Sequence, residues 1–317
     1  MKLWSASELK QQIEIALPEG TVVPEHTDRG HFYKVMTPDR LGRTGNVYPS
    51  VTGKLQIIKD ESLINYKKNQ VIQYVFANYR KFTDANIMEH LALAERVPED
   101  ILADAGDVGT RIHNVREEIF KAWMSSGQRP EDFLSFIKPE EVDVRVKSGI
   151  RALQKFCVER DYTPVATELK VYSHDLQVSG TLDDLGLLRE ILDAGDEGCE
   201  HSMLVTAKGH QCIKCPYRYC YQFVLMDLKT SNQFKDHYFF QVALYYWMFF
   251  KLTGIRPERC VILKVSKEDG TYKLEDLKRP AMLARYSRSM LITNRGIEYI
   301  RSLRKDNQKK VAEKIEL

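Results

Sequence analysis

The chain reads as α/β, with a small mixed central β-sheet flanked by helices, and three observations predict this. Hydrophobic residues recur at spacings near 3.6 between about residues 61 and 161, which is the period of helices packed on a core. The period then switches to 2 between about 165 and 188, as expected for half-buried strands. A strongly apolar run at Tyr221–Leu228 is followed by the apolar helical stretch Asp236–Leu252 and a further strand at Cys260–Val265, the order of a crossover unit. With 317 residues, 43% hydrophobic and 29% charged, the chain can bury a core and is neither disordered nor fibrous. It contains no run of about 18 apolar residues, and Met1–Leu17 lacks a signal-peptide h-region, so a cytoplasmic protein with no membrane partner is expected. The net charge of +3 neither requires nor forbids a nucleic-acid partner, because a local patch matters more than the total.

The elements follow in order. Ser5-x-x-Glu8 is a capping box opening the short helix Leu9–Leu17. Residues 18–54 are turn-rich, with strand-like pieces at His31–Met36 and Tyr48–Thr52. A helical pattern runs from Glu61 to Val97, and Pro98 is expected to break it. The next helix carries Ile112, Val115, Ile119, Phe120 and Trp123 and ends at Gly127–Pro130. Another, Pro139–Asp161, places Cys157 on its apolar face as an ordinary buried thiol. Strands Val165–Tyr172 and Gln177–Leu188 are joined by the turn Ser173-His174-Asp175. After Cys260–Val265, the turn Glu268-Asp269-Gly270 leads into Thr271–Leu274, and a final helix spans about Pro280 to Ile315. Residues 1–100 are read as a mainly helical N-terminal region and 101–317 as the core.

Residues 193–220 interrupt the sheet as an insertion poor in large apolar side chains. Four of the six cysteines lie in or beside it, which in a reducing compartment points to metal ligation before disulfides. Cys199-x-His201 and Cys212-x-x-Cys215 form two knuckles of Cys₃His composition, suited to a structural Zn²⁺ in a zinc-ribbon-like loop. His210 and Cys220 are alternative ligands.

Three carboxylates fall on successive strands: Glu168, Asp183 and Asp227. Lys229 lies two residues beyond Asp227 and so shares its face. Flanking Val224, Leu225, Met226 and Leu228 make this strand a buried one, where a carboxylate and an ammonium are costly unless paired or bound to metal. Hard oxygen ligands of this kind suit Mg²⁺ or Mn²⁺, and a neighbouring lysine suits orienting or deprotonating a water. The plain alternative is a structural Asp–Lys pair at a strand end.

Glu168, Gly180-x-x-Asp183, Asp227-x-Lys229 and the helical Gln241-x-x-x-Tyr245, preceded by Gly109-Thr110-Arg111-Ile112-His113, together resemble the PD-(D/E)XK nuclease superfamily, in particular its RecB-type branch. Tyr48-Pro49-Ser50-Val51-Thr52 is more weakly similar to phage-type and mitochondrial-genome-maintenance exonucleases of that branch. The resemblance implies a restriction-endonuclease-like core in which Asp183, Asp227, the Leu228 carbonyl and His113 hold catalytic Mg²⁺ or Mn²⁺. Lys229 would position or activate water, Glu168 would be a ligand or a supporting carboxylate, and Gln241 and Tyr245 would organise the site or touch the nucleic-acid backbone. Asp184 is the alternative to Asp183 if the insertion alters the strand order.

The expected activity is that of a deoxyribonuclease, an exonuclease of DNA repair, recombination or phage DNA processing, with DNA and a helicase or recombination protein as partners. The competing readings are a zinc-stapled nucleic-acid-binding scaffold with an inactive core, and a structure-specific endonuclease. Tyr66-Lys67-Lys68, Tyr79-Arg80-Lys81 and Arg301–Lys310 are basic stretches that suit either phosphate contact or plain solvated helix faces.

Overall fold

The computed structural model describes residues 5–27, 30–55, 61–139, 142–191, 203–206, 209–212, 218–231 and 233–315. Helix α1 (Ala6–Ala16) starts from the expected capping box, with Ser5 Oγ accepting from the Glu8 N–H. Strands β1 (Val22–Thr27), β2 (Gly30–Val35) and β3 (Asn46–Pro49) form an antiparallel sheet in that order, followed by the short α2 (Val51–Leu55). Helices α3 (Glu61–Asn78), α4 (Ile87–Ser126) and α5 (Val144–Glu159) lead to the central strands β4 (Thr163–Ser173) and β5 (Val178–Ile191). A small hairpin, β6 (Met203–Thr206) and β7 (Gly209–Cys212), precedes β8 (Arg218–Lys229), α6 (Asp236–Thr253), β9 (Arg259–Val265), β10 (Tyr272–Asp276) and α7 (Pro280–Ile315).

The central sheet runs β10-β9-β8-β5-β4, with β7 added at the N-terminal part of β8. Among the described strands of this sheet, β8 and β9 pair in parallel, and α6 is the crossover that parallel pairing requires. Strand β8 alternates between two cores. Val224, Met226 and Leu228 pack with Ile112, Ile119, Ile150 and Phe156 on the α4–α5 side. Phe223 and Leu225 pack with Leu9, Ile13, Val242 and Phe249 on the side of α1 and α6. Burial on both faces explains its nearly continuous apolar sequence. The architecture is therefore mixed α/β with a helical layer on each side of the main sheet.

Two details differ from expectation. Pro98 does not break its helix: α4 is continuous over 40 residues and runs through position 100. An interior proline costs a backbone hydrogen bond, but Pro98 and Ala94 are buried on the side that faces Val71 and Val75 of α3, and this packing outweighs the loss. The break falls instead after Asn78, where a 3-10 turn at Tyr79–Lys81 and the bond from the Thr83 N–H to Asn86 Oδ1 reverse the chain. The strand-like pieces at His31–Met36 and Tyr48–Thr52 fall on β2 and β3, except that Val51 and Thr52 already belong to α2. Strand β1 carries Pro24, which is tolerated because β1 is an edge strand. As expected of an insertion, the segment leaves β5 and β8 as direct neighbours, and it contributes the hairpin β6–β7.

Candidate metal and phosphodiester site

Strand β8 ends at the site. Its ladder with β5 closes at Asp184↔Met226, so Asp183 and Asp227 stand side by side one step beyond the last pair. There the Leu228 N–H turns to Asp183 Oδ2 at 2.7 Å. Helix α4 reaches the same strand end because Gly109 has no side chain: a Cβ there would lie 2.9 Å from Thr230 Oγ1. One turn later α4 presents His113, whose Nδ1 is 3.7 Å from Asp183 Oδ1. Ligand atoms of His113, Glu168 and Asp183 all lie within 4.8 Å of one another.

Adjacent Asp183 and Asp184 have separate environments. Asp184 is fully buried, bonded by Arg116 Nη1 at 2.9 Å and by Thr167 Oγ1 at 2.8 Å. Arg116, also fully buried, donates through Nη2 to Glu168 and lies 3.7 Å from Asp183. Glu168 adopts φ 51°, a left-handed conformation that a non-glycine residue holds only when its surroundings impose it. This turn lets Thr167 and Glu168, neighbours that a regular strand would send to opposite faces, both join the Arg116 cluster. Asp183 remains the more open carboxylate, with its side chain 13% exposed.

On β8, Lys229 Nζ pairs with Asp227 Oδ2 at 2.7 Å and stands 5.0 Å from the centre of the Tyr238 ring on α6. Asp227 is almost wholly buried, and its Oδ1 has no hydrogen-bond partner among the described residues. An orphaned carboxylate oxygen in such a place has donor capacity to spare for a cation. Gln241 and Tyr245 are buried on α6, with Gln241 Nε2 3.3 Å from Tyr245 Oη. The Tyr245 ring fills the space above Gly180, where a Cβ would lie 2.8 Å from the ring. The glycine of Gly180-x-x-Asp183 is thus required by a close approach. Tyr33 of β2 adds a hydroxyl 3.1 Å from Thr181 Oγ1.

Burial dominates the titration of the cluster. It pushes Glu168 up to about 7 and Asp227 up to about 6, with Arg116 and Lys229 respectively opposing the rise. It drives His113 down to about 4, so the imidazole is neutral at neutral pH, with the ring also hydrogen-bonded to the Leu228 backbone. For Asp183 burial is outweighed by His113, Arg116, Lys229 and the Leu228 N–H, which hold the carboxyl below its ordinary value. Burial likewise opposes the charge on Lys229, but Asp227 and Asp183 raise it, so this amine stays protonated. If all four carboxylates ionise, they face two fixed cations, Arg116 and Lys229, and leave room for one divalent ion.

Of the residues singled out from sequence, His113, Glu168, Asp183, Asp227, Leu228 and Lys229 converge at this strand end. Gln241 and Tyr245 lie on its α6 side, with Tyr245 packed over Gly180 of β5. The structure adds Arg116, Thr167, Tyr33 and Tyr238. Arg116 was signalled by a charge set into the apolar stripe of Ile112, Val115, Ile119 and Phe120. Of the insertion ligands, Cys199, His201 and Cys215 lie outside the described residues. Cys212 ends β7 opposite Met203, His210 pairs with Val205, and Cys220 lies on β8 opposite Glu190. Among the basic stretches, Lys67 pairs with Glu99 at 2.6 Å and Arg80 lies over the Tyr79 ring, both as solvated-face contacts.

No protein-family model matches the chain, and no curated protein matches it. Among solved structures, one described as the crystal structure of SSO0001 is similar at 12% identity and a TM-score of 0.23, covering 59% of this chain and 72% of that one. Among the described residues, no helix is long and apolar enough to cross a membrane.

Proposed function

We propose that the protein is a metal-dependent nuclease with a restriction-endonuclease-like core, hydrolysing phosphodiester bonds of DNA. The observation that carries this reading is the convergence of His113, Glu168 and Asp183 within 4.8 Å beside Asp227 and Lys229. Hard oxygen donors with one neutral imidazole fit Mg²⁺ or Mn²⁺, and the unpartnered Asp227 Oδ1 offers a further donor. Asp183, Asp227, His113, the Leu228 carbonyl and Glu168 would hold the ion. When bound, it would neutralise the phosphate and lower the pKa of a coordinated water.

The chain's own groups supply the rest. Lys229, protonated and clamped by Asp227, is a fixed cation at the strand end. It orients the attacking water and stabilises the negative charge that grows on the phosphoryl oxygens. Its retained charge favours this orienting role over that of a base. Arg116 holds Glu168 in its turned conformation and keeps Asp184 away from the reacting centre. Tyr245, seated over Gly180, fixes the position of α6 against β5.

The exonuclease assignment rests on the family resemblance. The zinc role of the insertion is part of the same proposal. Pairing of Met203 with Cys212 ends the β6–β7 ladder two residues after His201 and three before Cys215 in sequence, a spacing that suits a ribbon staple.

Purified protein with Mg²⁺ or Mn²⁺ is expected to degrade linear DNA. Lys229→Ala and Asp227→Ala should abolish that activity while the far-ultraviolet spectrum is retained. Equal activity in Lys229→Ala would overturn the mechanism. Survival of circular single strands would identify an exonuclease and their cleavage an endonuclease, and metal analysis after mild purification tests the zinc.

A further inference from the structure

We propose that Arg43, Lys54 and Arg295 form a second nucleic-acid site, a cleft that grips the phosphodiester backbone of the strand being cut. The inference rests on the nuclease reading and extends it to how the substrate is held. The cleft, of about 1020 Å³, opens between β3, α2, the β4–β5 turn and α7. Its cations come from three separate stretches of chain, so they are not a charge run along one helix face.

Its walls are fixed. Arg43 pairs with Asp39 at 2.8 Å, and Arg295 Nη1 donates to the Asp175 carbonyl at 3.0 Å. Tyr48 Oη is 2.8 Å from His174 Nδ1, and Thr37 Oγ1 is 3.0 Å from His174 Nε2, which locks the aromatic wall. Asp175 is the one carboxylate among the described residues of the lining, and Arg40 engages it at 2.9 Å from outside. Among the described residues, Arg40, Arg43, Lys54 and Arg295 thus stand against Asp39 and Asp175, an excess of cationic groups in a concave, pre-ordered setting that suits a polyanionic backbone.

The cleft is tied to the acidic centre along one strand. On β5, Ser179 bridges to Ser50, Thr181 meets Tyr33 and Asp183 enters the site, while Gln177 just before the strand lines the cleft. Alternate residues of a strand share a face, so Ser179, Thr181 and Asp183 lie on one side of β5, and Gln177, at φ 50°, belongs to the turn that carries the chain to the cleft. Six residues separate Gln177 from Asp183, or about 20 Å at roughly 3.3 Å per residue. That distance is about six nucleotides of a B-form strand and fewer of an extended one. The N-terminal sheet is the wall between the two.

The test is binding of a fluorescent 20-mer single strand in EDTA, followed over a salt series, for wild type and the Lys54→Gln/Arg295→Gln double variant. The proposal expects at least tenfold weaker binding, and a log–log salt slope reduced by about 1.4, since each lost phosphate contact removes about 0.7. In Mg²⁺, the loss in kcat/KM should be larger on the 20-mer than on a tetranucleotide too short to span both sites. A folded double variant with unchanged affinity and slope overturns the proposal. Wild type that binds the strand through these residues but hydrolyses nothing overturns the nuclease reading instead. Arg43→Gln alone, which should weaken binding by a smaller step, keeps the test alive if the double variant fails to fold.

Discussion

Asp183 and Asp184 are consecutive carboxylates on one strand, yet they belong to different chemistries. Asp184 points into the α4–α5 core, where Arg116 and Thr167 occupy its oxygens. Asp183 points to the strand end, accepts one backbone N–H and faces a neutral imidazole. The first is a closed set of bonds in which every further partner would be excess. The second has spare lone pairs and some exposure. The contrast teaches that burial alone does not mark a working carboxylate; unspent bonding capacity does.

The largest effect should come from Asp183→Asn, which is expected to lower metal-dependent hydrolysis by at least about 10²-fold, because losing even a group that supports a metal ligand costs about 10- to 100-fold. Its melting temperature should move little. Asp184→Asn should show the reverse, a lowered melting temperature with hydrolysis retained in the folded fraction. Equal losses of hydrolysis in the two folded variants would break the distinction.

Next in size is Arg116→Met, which leaves Asp184 buried without its cation. It should cost about 3–5 kcal/mol of stability in urea unfolding, as for other broken buried pairs. Adding Asp184→Leu should recover part of that loss, because the stranded charge is removed as well. A double variant less stable than the single one would show that Asp184 has another role. The smallest effect sharpens the working side: Gly180→Ala drives a methyl into the Tyr245 ring and should cost about 1–3 kcal/mol.

Much of this was legible in the sequence, for identifiable reasons. Strands β4, β5, β8 and β9 are buried on at least one face, so their apolar pattern marks them and fixes which acidic residues reach the strand ends. His113 was legible through its place after Gly109, and the structure supplies the reason in the close approach to Thr230. Arg116 escaped because its place in the apolar stripe of α4 marks it only as a buried charge, while the carboxylates that stabilise it lie more than fifty residues away. The turned backbone of Glu168 escaped for the same reason, since its conformation is imposed by tertiary bonds. Pro98 misled because local propensity was overridden by packing against α3.

The adjacency of β5 and β8 has a consequence for how such a chain can change. The chain leaves β5 after Ile191, and β8 pairs back with it from Tyr219, on whose other side β7 of the insertion is added. The insertion's entry and exit are thus neighbours across a ladder, the geometry of an ordinary hairpin mouth. A module grafted at such a mouth can be lengthened, exchanged or cut back to a tight turn without shifting the register of Asp183 against Asp227. The cysteine-bearing segment and the acidic centre are free to evolve as separate parts.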